Sequence, residues 1–360
     1  MRADRRKAES RVALPRGAAF LFLAALAAAR PGASAGADLA TSLTREADRL
    51  QKIAGGASEK AGARLGAMIG RVREDVRAGR LHLALHELSQ ARELSIGIGQ
   101  RRDGRTDFDT LWREGNAELS RFAEGAKGWN WSARLAWIRA LGEDAESQVL
   151  PLLQASRPYA AAAGPDSGGY YLSQARNAAD FARFCLSLDA PRPVVPLRPA
   201  SIAGELRRLQ DRADAAFQPP RSIDRHSQFI QLNAMLKSAG EMDAAGLYAG
   251  ALYEYLDAVQ ELASIEGRPA PKEGGDPAAE LARRREALAR SERDDSLALF
   301  FVERGEAALA RSTDPGARAY AGAVLSDVLP AYEKALAASA PAEKPPADVV
   351  TVTLVRWPYT

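Results

Sequence analysis

Apolar residues recur along this chain with a period close to that of an α-helix. Leu39, Leu43, Leu50 and Ile53 form one stripe, and Leu65, Met68, Ile69, Val72 and Val76 form the next. Spacings of three and four residues put such positions on a single helix face, the one that must be buried. "TDFD" offers a capping-box-like start at Thr106, followed by Phe108, Leu111, Trp112, Leu119 and Phe122. Short helices are expected at 132–141 and 144–157, with Pro151 kinking or restarting the second. "GPDSGG" (164–169) reads as a loop, after which Tyr171, Ala175, Ala178 and Phe181 restore the period.

The strongest break is "DAPRPVVPLRPAS" (189–201), which has four prolines and no helical period. It divides the expected helical domains, 38–188 and 202–340. Beyond it, Ile202, Leu206 and Leu209 mark a helix, and a helical pair is expected over 223–264. "EGRPAPKEGGD" (266–276) is a polar connector. Asp276-Pro277 and Asp314-Pro315 each place a capping aspartate before a proline in the first helical turn. The charged run "ELARRREALARSERDD" reads as a solvated helix face. Residues 341–360 form a proline-rich spacer and an extended tail, in which only "VVTVTLV" (349–355) has a strand's alternation. The expected fold is all-α, built of antiparallel helical hairpins, with a short extended strand at the C-terminal end.

Two stretches share one spacing of small and bulky residues. In "GRLHLALHELSQA" these are Gly79, Leu81, Ala84, Leu88 and Ala91, and in "GLYAGALYEYLDA" they are Gly246, Tyr248, Ala251, Tyr255 and Ala258. Small residues let another helix approach closely, and bulky ones fill the space between, as stacked antiparallel pairs require. Around the second stretch another register competes, which puts Gly240 in the inter-helix turn, a more sensible placement than a mid-helix Gly246. Before Gly79, Arg71 and Asp75 occupy positions where apolar groups belong. The spacing is similar to the second helix of a tetratricopeptide repeat. That resemblance implies helical hairpins stacked in sequence and a binding role.

The N-terminus changes the charge picture. Arginines and a lysine crowd residues 1–16, "GAAFLFLAALAAA" (17–29) is an uninterrupted apolar run, and "RPGASAGA" supplies small residues at Ala33 and Ala35. This is the layout of a secretory signal peptide with cleavage after Ala35. The run is too short to span a bilayer, which takes about 20 residues. The expected mature chain has no transmembrane helix and is periplasmic or secreted. The whole chain carries +3. Residues 1–35 hold seven Lys/Arg against Asp4 and Glu9, so the mature chain is slightly acidic. A nucleic-acid partner is therefore not expected.

Few residues carry recognisable chemistry. Cys185 is the single cysteine and shares a helical face with Phe181, Phe184 and Leu188, so it reads as a structural thiol. His82 and His86 stand one turn apart, but a metal site needs a third ligand, and Glu87 points off that face. No metal or other cofactor is expected. "GIGQRRDGR" (96–104) has glycines but no preceding strand to present it to phosphate, so it reads as a polar loop. Candidate partner-binding residues are the aromatics Trp129, Trp131, Tyr170 and Tyr171, together with Val350, Val352, Leu354, Trp357 and Tyr359 of the tail. Stapling of helix ends is nonetheless the favoured reading of these loop aromatics. The tail either docks onto its own helices, pairs with another copy of the chain, or adds a strand to a partner's sheet. Two functions remain open: a non-catalytic envelope scaffold binding a protein or peptide, and a secreted α/α-toroid enzyme acting on polysaccharide. The enzyme would need a carboxylate pair or equivalent acid and base in a cleft.

Overall fold

A computed structural model describes residues 39–99, 107–131, 134–188, 195, 197–219, 222–267 and 276–338. The tail residues Val350, Val352, Leu354, Trp357 and Tyr359, the expected capping threonine Thr106 and residues 1–38, where a signal peptide was expected, all lie outside that set. The fold is all-α. Helices run in the order α1 (Leu39–Gly55), α2 (Glu59–Arg77), α3 (Leu81–Gly99), α4 (Phe108–Ala126), α5 (Ala136–Ala163) and α6 (Pro165–Ser187). They continue with α7 (Ala203–Ala216), α8 (His226–Ala244), α9 (Tyr248–Glu266), α10 (Pro277–Ala289), α11 (Ser296–Arg311), α12 (Pro315–Ala323) and α13 (Leu329–Ala338). A π turn, Val324–Val328, joins the last two. The described residues contain no sheet, only an isolated parallel bridge between Val195 and Arg293. None of their helices is long and apolar enough to cross a membrane.

The stripes on α1 and α2 are buried as their spacing requires, through Leu39, Leu43, Leu50, Leu65, Ile69 and Val72. Two helices are buried more completely. On α9, Ala249 to Tyr253, Leu256, Val259 and Leu262 leave almost no exposed face, and α3 buries Leu83, Ala84, Leu85, Leu88 and Ala91. Helices buried on most of their sides belong in the middle of a body. The indole of Trp137 on α5 stacks on Phe300 of α11 at 4.0 Å, so side chains from both sides of 189–201 share one core.

The paired spacing has a structural answer. Gly79 and Gly246 both occupy turns, between α2 and α3 and between α8 and α9, with φ of 69° and 79°. Positive φ is a conformation that only glycine adopts without cost. The Gly79 amide donates to Val76 O and that of Arg80 to Asp75 O, while Gly246 donates to Asp243 O and Leu247 to Met242 O. Both turns are Schellman caps of the same pattern. The competing register is thereby overturned: Gly240 lies inside α8 with open space beside it, and Gly246 makes the turn. Ala84, Leu88, Ala91, Ala251, Tyr255 and Ala258 are all buried, and Tyr248 is half-buried at the start of α9.

Two expected breaks are absent. Instead of two short helices over 132–157, α5 is one helix of 28 residues containing Pro151 and Pro158. Both prolines are exposed, so water can satisfy the carbonyls that lose an amide partner, while Val149, Leu153 and Ser156 hold the inner face. The expected loop at 164–169 shrinks to Gly164, and Pro165 opens α6. Gly168 belongs to a close helix contact, where a Cβ would come within 2.7 Å of Ser156 O.

The Asp-Pro starts do form caps. Asp276 accepts the Ala278 amide at 3.0 Å, and Asp314 accepts that of Ala317 at 2.8 Å. Asp75 is fully buried because Arg80 and Arg311 both pair with it, and Glu87 bridges Arg311 and Arg71. Tertiary charge pairing thus fills the helix face where apolar residues were expected.

Candidate functional site

The aromatic residues divide into packed and presented ones. Trp131 is buried, with its ring against Gly142 and its indole N–H donating to Glu146 at 3.1 Å. Trp129 is half-buried and stands edge-on to both Phe122 and Trp131. These tryptophans seal the end of α4 against α5. Tyr170 is presented instead, being 38 % exposed and accepting from Gln174 Nε2 at 2.8 Å. Tyr171 lies edge-on to Tyr170 and stacks on Tyr159 at 4.0 Å between centroids.

Tyr159, 45 % exposed, was not singled out from the sequence. It falls in a helix segment just before Gly164, and only the α5–α6 hairpin brings it opposite Tyr171. The three rings make an aromatic face at the turn end of that hairpin, around Gly164. A hydrogen bond with Tyr159 holds the Tyr171 hydroxyl above its ordinary value. Beside the hairpin, the Arg157 guanidinium lies over the Trp112 ring at 4.1 Å.

A second constellation lies where α5 meets α9. Asp144 on α5 faces Glu254 and Asp257 on α9, and all three are half-buried. Burial, reinforced by the charges of Asp144 and Asp257, pushes Glu254 up to about 9. Burial also raises Asp144 to about 6, although Gln148 donates to both its oxygens. Asp257 pairs with Arg304 of α11 at 2.5 Å. Glu261, one turn further along α9, is raised chiefly by burial and then by Asp257. Around pH 7 the interacting carboxyls of Asp144 and Glu254 therefore retain a proton, with the larger upward shift on Glu254. Apolar periodicity alone does not reveal this pairing. Glu254, Asp257 and Glu261 recur at three- and four-residue steps, an acidic stripe legible on the same helix wheel.

Of the three histidines, His82 and His86 are both partly buried within the fold. His82 Nδ1 lies 2.8 Å from Glu303, and its carbonyl accepts the Trp137 indole N–H. His86 sits among the rings of Trp137, Tyr253 and Phe300. Burial depresses it to about 4, so it is neutral near pH 7. Cys185 is buried, which pushes its thiol far above the reactive range. The described residues contain no group of three or more His, Cys, Asp or Glu placed to hold a metal ion.

Comparison with known protein families, curated proteins and solved structures returned no match for the chain.

Proposed function

We propose that the chain is an exported, non-catalytic helical binding protein of the cell envelope, which captures a protein or peptide partner on the tyrosine face of the α5–α6 hairpin. The supporting observation is the stack of Tyr159 on Tyr171 with Tyr170 edge-on, in which Tyr159 and Tyr170 remain exposed. Tyrosine offers a large apolar surface with a polar tip, and it loses little side-chain freedom when a partner covers it. Mutual stacking restricts these rings further, so an incoming chain meets a preformed surface. The slightly acidic mature chain and the secretory layout of residues 1–35 support placing the protein in the envelope.

The test inserts a photo-crosslinking amino acid at Tyr170 in the full-length chain and irradiates intact cells. The expected result is a discrete adduct in the envelope fraction, lost when Tyr159→Ser and Tyr171→Ser are added while the melting temperature is kept. An identical adduct from a probe at exposed Arg207, or none at all, would refute the reading. Sequencing the mature N-terminus tests export, with Gly36 expected as the first residue.

The carboxylates favour a second reading, a secreted α/α-toroid enzyme acting on polysaccharide. Two carboxyls, Glu254 and Asp144, both raised by burial and retaining a proton between them, have the makings of a general acid and its partner. Turnover of neutral or uronic-acid glycans, abolished by Glu254→Gln, would establish that reading and displace the first.

A further inference from the structure

We infer that the chain is a fused pair: residues 39–187 and 203–338 are two copies of one six-helix unit, and the surface that each offers the other is a twofold-like interface. The hairpins match to the residue. α2 and α8 begin at Glu59 and His226 and end at Arg77 and Ala244, while α3 and α9 begin at Leu81 and Tyr248 and end at Gly99 and Glu266. All four pairs of boundaries are 167 residues apart. The remaining helices follow in the same order, with α1 matching α7, α4 matching α10 and α5 matching α11. α6 (Pro165–Ser187) matches the run Pro315–Ala338 formed by α12, the π turn and α13, and both open on a proline.

Packing partners repeat as well. α1 packs on α2 and α3 as α7 does on α8 and α9, and α4 packs on α5 and α6 as α10 does on α11 and α12. Between the halves, α3 meets α11 just as α9 meets α5. The contact of α5 with α11 maps onto itself, which places it on the axis. There Trp137 stacks on Phe300, and the equivalent residues His86 and Tyr253 face each other at 6.4 Å.

The interface is built reciprocally. Glu303, the eighth residue of α11, accepts the Leu83 amide at 2.9 Å in the first turn of α3. Glu143, the eighth residue of α5, accepts the Gly250 amide at 2.9 Å in the first turn of α9, and the Ala249 amide as well. Leu83 and Gly250 are themselves equivalent positions. Both carboxylates are buried, and each is held by a base, Glu303 by His82 and Glu143 by Arg139. A helix N-terminus carries unsatisfied amides and partial positive charge, so a buried carboxylate is a strong acceptor for it. Each half thus supplies what the other's central helix lacks. An isologous pairing of one surface with itself has this property. Along the two central helices the sequences diverge at many positions, and what persists is the glycine turn and the small residues, together with the glutamate that the opposing half brings to each.

Amide exchange on the full-length chain tests this. Glu303→Gln should speed exchange at Leu83 by about tenfold or more, as expected for loss of a charge-assisted acceptor, and leave Ala249 and Gly250 unchanged. Glu143→Gln should do the converse to a similar extent. In addition, the exchange of His86→Tyr with Tyr253→His should melt above the sum expected from the single variants, since equivalent positions trade compatible space. A variant whose effect stays within its own half, one silent cap beside one essential cap, or a double exchange that is merely additive would overturn the inference.

Discussion

Replacing Glu254 with glutamine should stabilise the protein, and by an amount that grows with pH. The carboxyl is pushed from its ordinary 4.5 up to about 9, first by burial and then by Asp144 and Asp257. Because its folded value is raised, the stability associated with it is fully present below about pH 4.5 and is lost progressively as pH climbs to about 9. A tenfold change in proton affinity corresponds to about 1.4 kcal/mol. At pH 7 the folded chain keeps a proton that the unfolded chain has released, at a cost of up to about 3 kcal/mol. Solvent at the partly exposed edge of the side chain brings the expectation to roughly 1–3 kcal/mol. Glutamine has the shape of the neutral acid and no proton to lose, so the variant escapes this decline. Urea unfolding of both proteins at about pH 5, 7 and 9 reads the difference directly. A gap that does not widen between pH 5 and 9, or a variant less stable throughout, would refute the assignment of Glu254 as a protonated buried acid.

Other expectations follow from packing. Ala251→Leu puts a larger side chain into a fully buried helix contact and should cost about 1–3 kcal/mol by thermal melting; an unchanged melt would remove the close-approach account. Trp137→Ala, which removes the ring stacked on Phe300, should cost about 3–5 kcal/mol in chemical denaturation. Gly246→Ala forces a Cβ into a positive-φ turn and should cost about 1 kcal/mol, and Gly79→Ala should match it within experimental error. His82→Ala should unfold at lower denaturant while leaving metal content by mass spectrometry unchanged, since its ring is occupied by Glu303.

Much of the helical architecture was legible because burial imposes period on sequence. The stripes through Leu39 to Leu50 and Leu65 to Val72 needed no tertiary information. The spacing of Gly79 and Gly246 located two hairpins, although only backbone geometry decided that Gly246 rather than Gly240 makes the turn. The errors share one cause. Pro151 and Gly168 carry strong local signals for breaks, yet one faces solvent and the other faces a neighbouring helix, facts that local sequence does not contain. Asp75 and Arg71 looked misplaced because their partners, Arg311 and Glu87, lie on other helices. The tyrosine face was half visible, since Tyr170 and Tyr171 adjoin a glycine-rich stretch while Tyr159 joins them only through the hairpin. The acidic stripe on α9 was present in the sequence, but its meaning depends on Asp144, which comes from α5.

The acceptor for the first turn of α3 comes from far along the chain. Leu83 and Glu303 are separated by 220 residues. During synthesis at about 5–20 residues per second, roughly 10–40 s pass between the appearance of the amide and the appearance of its carboxylate. The reverse pair has no such wait, because Glu143 already exists when Ala249 and Gly250 emerge. In a chain that folds as it is made, the first half would carry an incomplete helix end, while the second half would meet a finished acceptor. Two equivalent contacts in the folded protein thus have opposite histories, and the earlier one stays open until most of the second half has been made.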